Sequence, residues 1–365
     1  MTRDSSHYLK ELGWDSFFQE HFQLLKMPGS IPARVVSQHK NSYQLFSQHG
    51  ELSAKISGKM RHQAGTGDRY PAVGDWVVVK PQTEEQKGVI LAILPRKSKF
   101  SRKAAGIRTE EQVVAVNIDT VFIVSGLDGG RNFNLRRIER YLTLARNSGA
   151  LPVAVLNKTD LCPDIDSYVR SVEPVAPGVP IHPVSARERT GLDALREYLA
   201  GGKTAAFLGP SGVGKSALIN ALLGDNIQET GEVRMSDRRG RHTTSWRELF
   251  LIPNGGVVID TPGMREIQMW ADENDLKNAF PDIQTLAREC RFSDCYHHTE
   301  PGCAVIAAIQ RGDLDAARLE SYLKLQRELR HLASREDQSL RLEEKAKWKK
   351  ISQWSKQLKK PHSEP

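Results

Sequence analysis

The chain has 365 residues, enough for two or three domains, and 39% of them are hydrophobic, so it can bury sizeable cores. Its N-terminus is polar and no apolar run approaches the roughly 18 residues that cross a bilayer. We therefore expect a soluble, cytoplasmic protein rather than a secreted or membrane-spanning one. The net charge of +8 is uneven, because residues 341–360 carry eight Lys or Arg against two Glu. Such a basic tail predicts a polyanionic partner, most simply nucleic acid, although a solvated charged helix has the same composition.

The first third of the chain predicts a short extension followed by a small barrel. Residues 1–32 carry apolar side chains that could line one face of an amphipathic helix, in a docking extension or a flexible arm. These side chains are Leu9, Leu12, Trp14, Phe17, Phe18 and Phe22. Residues 33–104 hold five short β-branched runs and a long polar loop at 58–70, a spacing typical of an OB-fold barrel that binds RNA. The predicted strands are Arg34–Ser37, Tyr43–Phe46, Leu52–Ile56, Asp75–Val79 and Gly88–Leu94.

A basic cluster with one aromatic residue follows the last of these strands. Its members are Arg96, Lys97, Lys99, Phe100, Arg102 and Lys103. Contact with phosphates and a solvated linker are both consistent with this composition.

From residue 112 onward, apolar strands alternate with helical segments. This alternation predicts a mostly parallel sheet flanked by helices, in which ligands bind at the carboxyl ends of the strands. The predicted strands are Val121–Ser125, Pro152–Leu156, Ile181–Val184, Ala205–Leu208, Glu248–Ile252 and Gly256–Ile259. The predicted helices are Leu135–Asn147, Ile165–Val172, Leu192–Leu199 and Ser216–Leu223.

A guanine-recognition segment follows the second of these strands. It consists of Asn157, Lys158, Thr159 and Asp160. A carboxylate at Asp160 can accept from both the ring N1–H and the exocyclic amine of guanine, a donor pair that adenine lacks. Asn157 can bind the base edge and brace the phosphate loop, and the stem of Lys158 can cover the base plane. Ser185 and Ala186 end the next strand, where a backbone N–H could meet the guanine O6.

A phosphate loop with the spacing GxxxxGK[ST] lies between a predicted strand and a predicted helix. Its residues are Gly209, Pro210, Ser211, Gly212, Val213, Gly214, Lys215 and Ser216, with Ala217 next in the helix. The order strand, loop, helix directs backbone N–H groups at an anion. Lys215 would reach the β- and γ-phosphates, and the Ser216 hydroxyl would ligate Mg²⁺.

Two later segments are predicted to contact the γ-phosphate and its Mg²⁺. Asp260, at the end of a strand, is placed to hold the Mg²⁺ shell, and the Gly263 amide can contact the γ-phosphate. The polar segment before them supplies Thr243 and Thr244, either of which can be the second hydroxyl ligand.

The cysteines predict a metal site rather than disulfides, because three of the four lie within 14 residues. With one histidine they have the spacing C-x4-C-x-H-x5-C, through Cys290, Cys295, His297 and Cys303. These ligands complete a tetrahedral Zn²⁺ shell with no open position, which predicts a structural ion; buried free cysteines are the alternative. His298 competes with its neighbour for the imidazole position, and the isolated Cys162 is expected to be a packed thiol.

The nucleotide motifs resemble those of translation-factor-type GTPases in a changed order. Residues 157–160 and 185–186 precede the phosphate loop, whereas they usually follow it, so the domain looks circularly permuted. With a barrel before it and a Cys-Cys-His-Cys module after it, the chain resembles the RsgA family of small-ribosomal-subunit biogenesis GTPases over residues 33–335. The resemblance rests on the phosphate loop, residues 240–244, residues 260–263 and the four metal ligands.

The resemblance implies a monomeric GTPase that binds the maturing small (30S) ribosomal subunit and its rRNA late in assembly. It would hydrolyse GTP in response to rRNA and aid the release of assembly factors, with one structural Zn²⁺, Mg²⁺ on the GTP and no membrane contact. Many GTPases carry a water-orienting Gln where this chain has Met264, so we expect slow intrinsic turnover that a partner accelerates. His242 is the candidate to orient the attacking water, or else a solvated residue without a role. Lys215 and Mg²⁺ would stabilise the transition-state charge.

Two other functions share parts of this pattern: an RNA-binding scaffold with a hydrolytically idle nucleotide site, and a P-loop ATPase. The complete set of Mg²⁺ ligands argues against the first, and Asp160 argues against the second. We therefore predict a multidomain protein with an OB-fold barrel, a circularly permuted α/β P-loop GTPase domain and a helical zinc module. The predicted divisions are an extension at 1–32, the barrel at 33–104, the GTPase domain at 112–268, the zinc module at 269–335 and a basic tail at 336–365.

Overall fold

The computed structural model describes residues 5–39, 42–63, 70–82, 86–103, 111–130, 132–224, 248–253, 255–260, 280–298 and 300–327. The chain divides into two compact units. The first contains Met1–Arg102 and Gln112–Met269, and the second contains Lys103–Glu111 and Trp270–Pro365. None of the helices in the described ranges has the length and apolar character needed to cross a membrane. The division into five parts by sequence stays a prediction.

Five strands of the first unit close into a barrel, as predicted. They are β1 (Ile31–Gln38), β2 (Tyr43–Ser47), β3 (Gly50–Ile56), β4 (Trp76–Gln82) and β5 (Lys87–Ile93). Their order is β1-β2-β3-β5-β4, and β4 returns to pair with β1. The pair β3–β5 is parallel and the others are antiparallel. Apolar side chains fill the interior because alternate residues of each strand point inward; Val35, Leu45, Val79 and Ile90 are wholly buried.

The N-terminal extension is two helices packed on this barrel, not the single helix or flexible arm that the sequence suggested. They are α1 (Ser5–Glu11) and α2 (Ser16–Leu24). Asp15 caps α2 by accepting from the Phe18 N–H at 3.3 Å. The Trp14 ring lies edge-on to the buried ring of Trp76 on β4, with centroids 4.7 Å apart. The segment 58–70, predicted as a loop, contains helix α3 (Gly58–Gln63), whose first turn is capped by the Ser57 hydroxyl.

The basic cluster after the barrel is partly structural. Arg96 forms two hydrogen bonds with the wholly buried carboxylate of Asp75, at 2.7 and 2.8 Å. Lys97 pairs with Asp15, and its ammonium lies 4.8 Å from the centroid of the Phe18 ring. The solvated-linker interpretation is therefore wrong for these two basic residues.

Six strands of the first unit form the sheet of the α/β region. They are β8 (Thr120–Gly126), β9 (Leu151–Asn157), β10 (Ile181–Val184), β11 (Thr204–Leu208), β12 (Glu248–Leu251) and β13 (Val257–Asp260). The helices of this region are α4 (Leu135–Asn147), α5 (Ile165–Val172), α6 (Leu192–Glu197) and α7 (Lys215–Leu223). The order is β10-β9-β8-β11-β13-β12, parallel except for β12. The carboxyl ends of the parallel strands therefore share one edge.

Two further features complete the first unit. A ribbon that the sequence did not predict pairs β6 (Lys99–Lys103) with β7 (Glu111–Val116). Strand β12 also pairs with β1 of the barrel, with Glu248 opposite Ser37. The barrel and the α/β sheet are thus hydrogen-bonded edge to edge.

Arg34 of β1 is a buried cation at the junction of these parts. Its guanidinium donates to the carbonyls of Leu12, Gly74 and Asn117 and to the Thr204 hydroxyl, the last at 2.7 Å. Burial lowers the pKa of Arg34 to about 10, so it remains protonated at neutral pH. One side chain thereby connects the extension, the barrel and the strand that leads to the phosphate loop.

Arg34→Met is expected to lower the free energy of unfolding of the first unit by about 3 kcal/mol, because several buried acceptors lose a charged donor. Urea denaturation followed by tryptophan fluorescence measures this, since Trp76 lies beside the guanidinium. Arg196→Met is the matched control, because the Arg196 side chain is 44% exposed and pairs only with Asp193 and a backbone carbonyl among its described contacts. Equal midpoints for the two variants would contradict the role of Arg34.

The second unit contains three helices in its described residues after 280. Its helices are Pro281–Ala287, Ala304–Arg311 and residues 316–327. Phe280 and Tyr322 pack with ring centroids 5.5 Å apart, and Arg318 pairs with Asp282. Leu319, Tyr322 and Leu325 are buried on the helix of residues 316–327, and the basic tail lies outside the described residues.

Candidate functional site

The phosphate loop joins β11 to α7 at the carboxyl edge of the sheet. Helix α7 begins at Lys215, so the N–H groups of its first turn, including Ser216 and Ala217, have no acceptor within the helix. Lys215 Nζ donates to the carbonyls of Gly209 and Pro210, both at 2.8 Å. The strand, loop and helix thus present donors and one lysine at a single place, as an anion site requires.

Gly214 lets the phosphate loop touch the base-recognition segment. Its φ is +96°, and a Cβ at this position would lie 2.3 Å from Asn157 Nδ2. That Nδ2 donates to the carbonyl of Val213 at 2.8 Å, and Asn157 Oδ1 accepts from the Ala186 N–H at 3.1 Å. Asn157 is buried and holds three loops together, because only glycine leaves room for its amide.

The predicted base-binding residues lie together after β9 and β10. Asp160 sits in a short 3₁₀ turn, Thr159–Leu161, and its Oδ1 accepts from the Ser185 hydroxyl at 2.6 Å. The same hydroxyl accepts from the Glu188 N–H at 3.1 Å, so its proton is directed at the carboxylate. This hydrogen bond orients Asp160, and its Oδ2 can still accept hydrogen bonds from a ligand.

Two residues of this edge were missed by sequence reasoning. Asp128 follows β8 and forms an ion pair with Lys158 at 2.5 Å, and Asn132 donates to the same carboxylate oxygen at 2.7 Å. The available signal was position, because Asp128 comes just after a buried strand as Asp160 does. Asp128 and Asn132 do not belong to a short motif of known spacing, so the sequence alone did not reveal them.

Asp260 ends β13, the neighbour of the phosphate-loop strand β11. Burial raises its pKa, while the charge of Lys215 acts in the opposite direction. A partly buried carboxylate beside a lysine and a phosphate loop suits a Mg²⁺ shell, because a divalent cation would favour its ionised form. The other predicted switch residues, His242, Thr243, Thr244, Gly263 and Met264, lie outside the described residues.

The second unit contains a candidate metal centre of Cys290, Cys295, His297 and Cys303, whose ligand atoms all lie within 4.8 Å of one another. The Cys290 and Cys303 sulfurs are 3.9 Å apart, and His297 Nδ1 is 3.7 and 3.5 Å from them. Tetrahedral bonds of about 2.3 Å to sulfur place such sulfurs about 3.8 Å apart, so the set fits one metal ion. His298 is exposed and is not a member of the cluster.

The electrostatics of this cluster favour a cation. Burial, together with the neighbouring thiols of Cys303 and Cys290, raises the pKa of Cys295 to about 12. Burial lowers the pKa of His297, which keeps the imidazole neutral and able to bind metal. Three thiols this close can ionise together only around a positive ion, so the cluster can hold a metal.

Comparisons with known proteins agree with this geometry. A family model described as RsgA GTPase matches residues 93–270. A small ribosomal subunit biogenesis GTPase RsgA from Opitutus terrae is 48% identical, covering 94% of this chain and 96% of the relative. The crystal structure of YjeQ from Thermotoga maritima is 31% identical with a TM-score of 0.63, covering 82% of this chain and 98% of that one. YloQ, described as a circularly permuted GTPase, shares the fold at 23% identity and a TM-score of 0.60, covering 84% and 97%.

Proposed function

The chain belongs to the RsgA GTPase family, and from this premise we propose that it hydrolyses GTP to GDP and phosphate while it assists late maturation of the small (30S) ribosomal subunit. It would act in the cytoplasm as a monomer, with the barrel and the basic tail contacting rRNA. The barrel is of a class that binds RNA, and the tail has the charge that phosphates attract. Both contacts are proposed from these chemical properties and from membership of the family.

The observation that carries this proposal is the arrangement of Asn157. One buried amide contacts the phosphate loop at Val213 and the base-recognition segment at Ala186. Since the two loops are joined through a single side chain, the phosphates and the base of one nucleotide can be held in a defined relative position.

We assign the nucleotide contacts by chemical type. The phosphates would lie on the loop residues 209–217 with the Gly263 amide, and guanine would lie against residues 157–160 with Ser185 and Ala186. Mg²⁺ would be held by Ser216, Asp260 and one of Thr243 and Thr244, and it supplies charge neutralisation on the phosphates when bound.

Lys215 would stabilise the negative charge that develops on the transferring phosphoryl group. In this structure its ammonium donates to two loop carbonyls, which supports a role beside the proposed phosphate site. His242 is the candidate to orient the attacking water, because Met264 occupies the position of the usual glutamine and has no strong hydrogen-bonding group.

Zinc is the proposed ion of the cysteine cluster. Three sulfurs and one imidazole in tetrahedral spacing suit Zn²⁺, and four protein ligands leave no position for a reacting water. The ion would therefore stabilise the second unit and take no part in hydrolysis.

The test is steady-state GTP hydrolysis by the purified protein, alone and with isolated small or large ribosomal subunits. We expect small subunits to raise kcat by orders of magnitude and large subunits to leave it unchanged, because activation in trans supplies what Met264 lacks. A rate that stays negligible with both subunits would favour the scaffold with an idle nucleotide site. Hydrolysis of ATP as fast as GTP would contradict the guanine assignment.

A further inference from the structure

The loop after β8 places an acidic side chain against the lysine of the base-recognition segment. Asp128 Oδ2 accepts from Lys158 Nζ at 2.5 Å and from Asn132 Nδ2 at 2.7 Å, and its Oδ1 accepts from the Gly130 N–H at 3.4 Å. The side chains of Lys158 and Asp128 are only 25% and 17% exposed. Such a shielded, charge-assisted contact is stronger than an ordinary surface ion pair.

The backbone fixes both partners. Strands β8 and β9 are adjacent and parallel, with Gly126 level with Asn157, and the Leu127 N–H donates to the Asn157 carbonyl at 2.8 Å. Lys158 has a φ of +68°, a left-handed conformation that few non-glycine residues adopt. Its stem crosses Gly126, because a Cβ built there would lie 3.6 Å from Lys158 Cδ. The direction of the lysine is therefore set at both ends of its side chain.

The same contacts reach toward the phosphate loop. A Cβ built on Gly212 would lie 3.9 Å from Asn132 Nδ2, which in turn donates to Asp128. A line of polar groups thus runs from the base-recognition segment to the phosphate loop along the edge where the nucleotide is proposed to bind.

We infer that Asp128 is a positioning residue of the nucleotide site, which holds the Lys158 stem across the purine face before guanine nucleotides bind. The inference rests on the proposed function, because it requires guanine beside Lys158. An unanchored lysine has many rotamers, and ordering them weakens binding; the contact with Asp128 removes most of that loss beforehand. The benefit is the same for GTP and GDP, since both carry the base, so it acts on affinity and not on the hydrolytic step.

The pKa of Asp128 agrees with this role. The hydrogen bond from Lys158 lowers the pKa of Asp128, and Asn132 adds to the effect. The carboxylate is therefore ionised at neutral pH, where it attracts the lysine.

The experiment is a double-mutant cycle of Asp128→Asn and Lys158→Met in the full-length protein, with fluorescent GDP and GTP analogues as probes. We expect each single variant to raise Kd for both nucleotides about tenfold, the scale of one charge-assisted hydrogen bond. The double variant should lose no more than Lys158→Met alone, because Asp128 acts through Lys158. In hydrolysis stimulated by small subunits, the loss should appear as a raised KM for GTP rather than as a lowered kcat.

Asp193→Asn is the matched control, because Asp193 forms an exposed ion pair with Arg196 at 2.8 Å. It should change neither Kd. A structural role for Asp128 predicts a different pattern: a lower thermal midpoint for the nucleotide-free protein, and a loss of affinity in the double variant equal to the product of the two single losses.

The outcomes separate this inference from the proposed function. If the wild type binds GDP and GTP but not ATP, while Asp128→Asn binds them with unchanged Kd, the positioning role is wrong and the proposed function stands. If the loss of affinity in the double variant equals the product of the two single losses, the positioning role is also wrong. If the wild type binds no guanine nucleotide, the proposed function and the inference fail together.

Discussion

Asp160→Asn is expected to lower the affinity for GTP by at least about 100-fold and to leave the weak binding of ATP unchanged. A carboxylate accepts from both N–H donors of guanine, whereas an amide turns an NH₂ group toward one of them and leaves two donors opposed in a confined site. The Ser185 hydroxyl, which bonds Asp160 at 2.6 Å, can equally donate to the amide oxygen, so the loop should keep its conformation. Equilibrium titration with fluorescent GTP and ATP analogues measures the change.

The matched control is Asp166→Asn, an exposed aspartate in the first turn of α5. It should leave both affinities as they are. Xanthosine triphosphate gives a gain-of-function check, because it carries a carbonyl where guanine has the exocyclic amine and can accept from the new NH₂ group. Unchanged GTP affinity in Asp160→Asn would show that the base lies elsewhere.

Cys303→Ser is expected to remove the metal from the second unit and to unfold the helices on either side of the cluster. Cys303 is buried, and its sulfur also accepts from the Ile306 N–H at 3.4 Å at the start of the helix Ala304–Arg311. Zinc, the proposed ion, binds structural sites with an apparent free energy of about 10–16 kcal/mol, which is also folding free energy. Metal analysis should fall from one ion per chain to near zero, and limited proteolysis should cut between residues 280 and 327.

Cys162→Ser controls for the loss of a thiol, because Cys162 lies outside the cluster in the first unit. It should keep one ion per chain. Chelation of the wild type should reproduce the Cys303→Ser result and spare nucleotide binding, whose proposed residues all lie in the first unit. Full metal content in Cys303→Ser would refute the four-ligand centre.

The motifs that the sequence reveals are those whose partners are close along the chain. The phosphate loop needs a strand, glycines and a helix in succession, and the proposed metal ligands lie between Cys290 and Cys303, so their spacing alone predicts the chemistry. The five-stranded barrel and the alternation of strands and helices follow in the same way from local periodicity. The bracing role of Asn157 could also be predicted, because this residue directly follows the strand predicted at Pro152–Leu156.

Tertiary structure decided the contacts between distant parts of the chain. Arg34 bonds Thr204, 170 positions away, and Asp128 bonds Lys158, 30 positions away. Neither pair has a pattern in sequence, because a buried arginine in a strand or an aspartate in a loop has many possible partners. The extension is a similar case: its aromatic residues suit one helix face, but their spacing does not reveal that Trp14 packs against Trp76 of the barrel. The sequence by itself determined the kinds of site, and the pairing of strands across the fold determined which side chains complete them, because that pairing sets which loops meet at one edge.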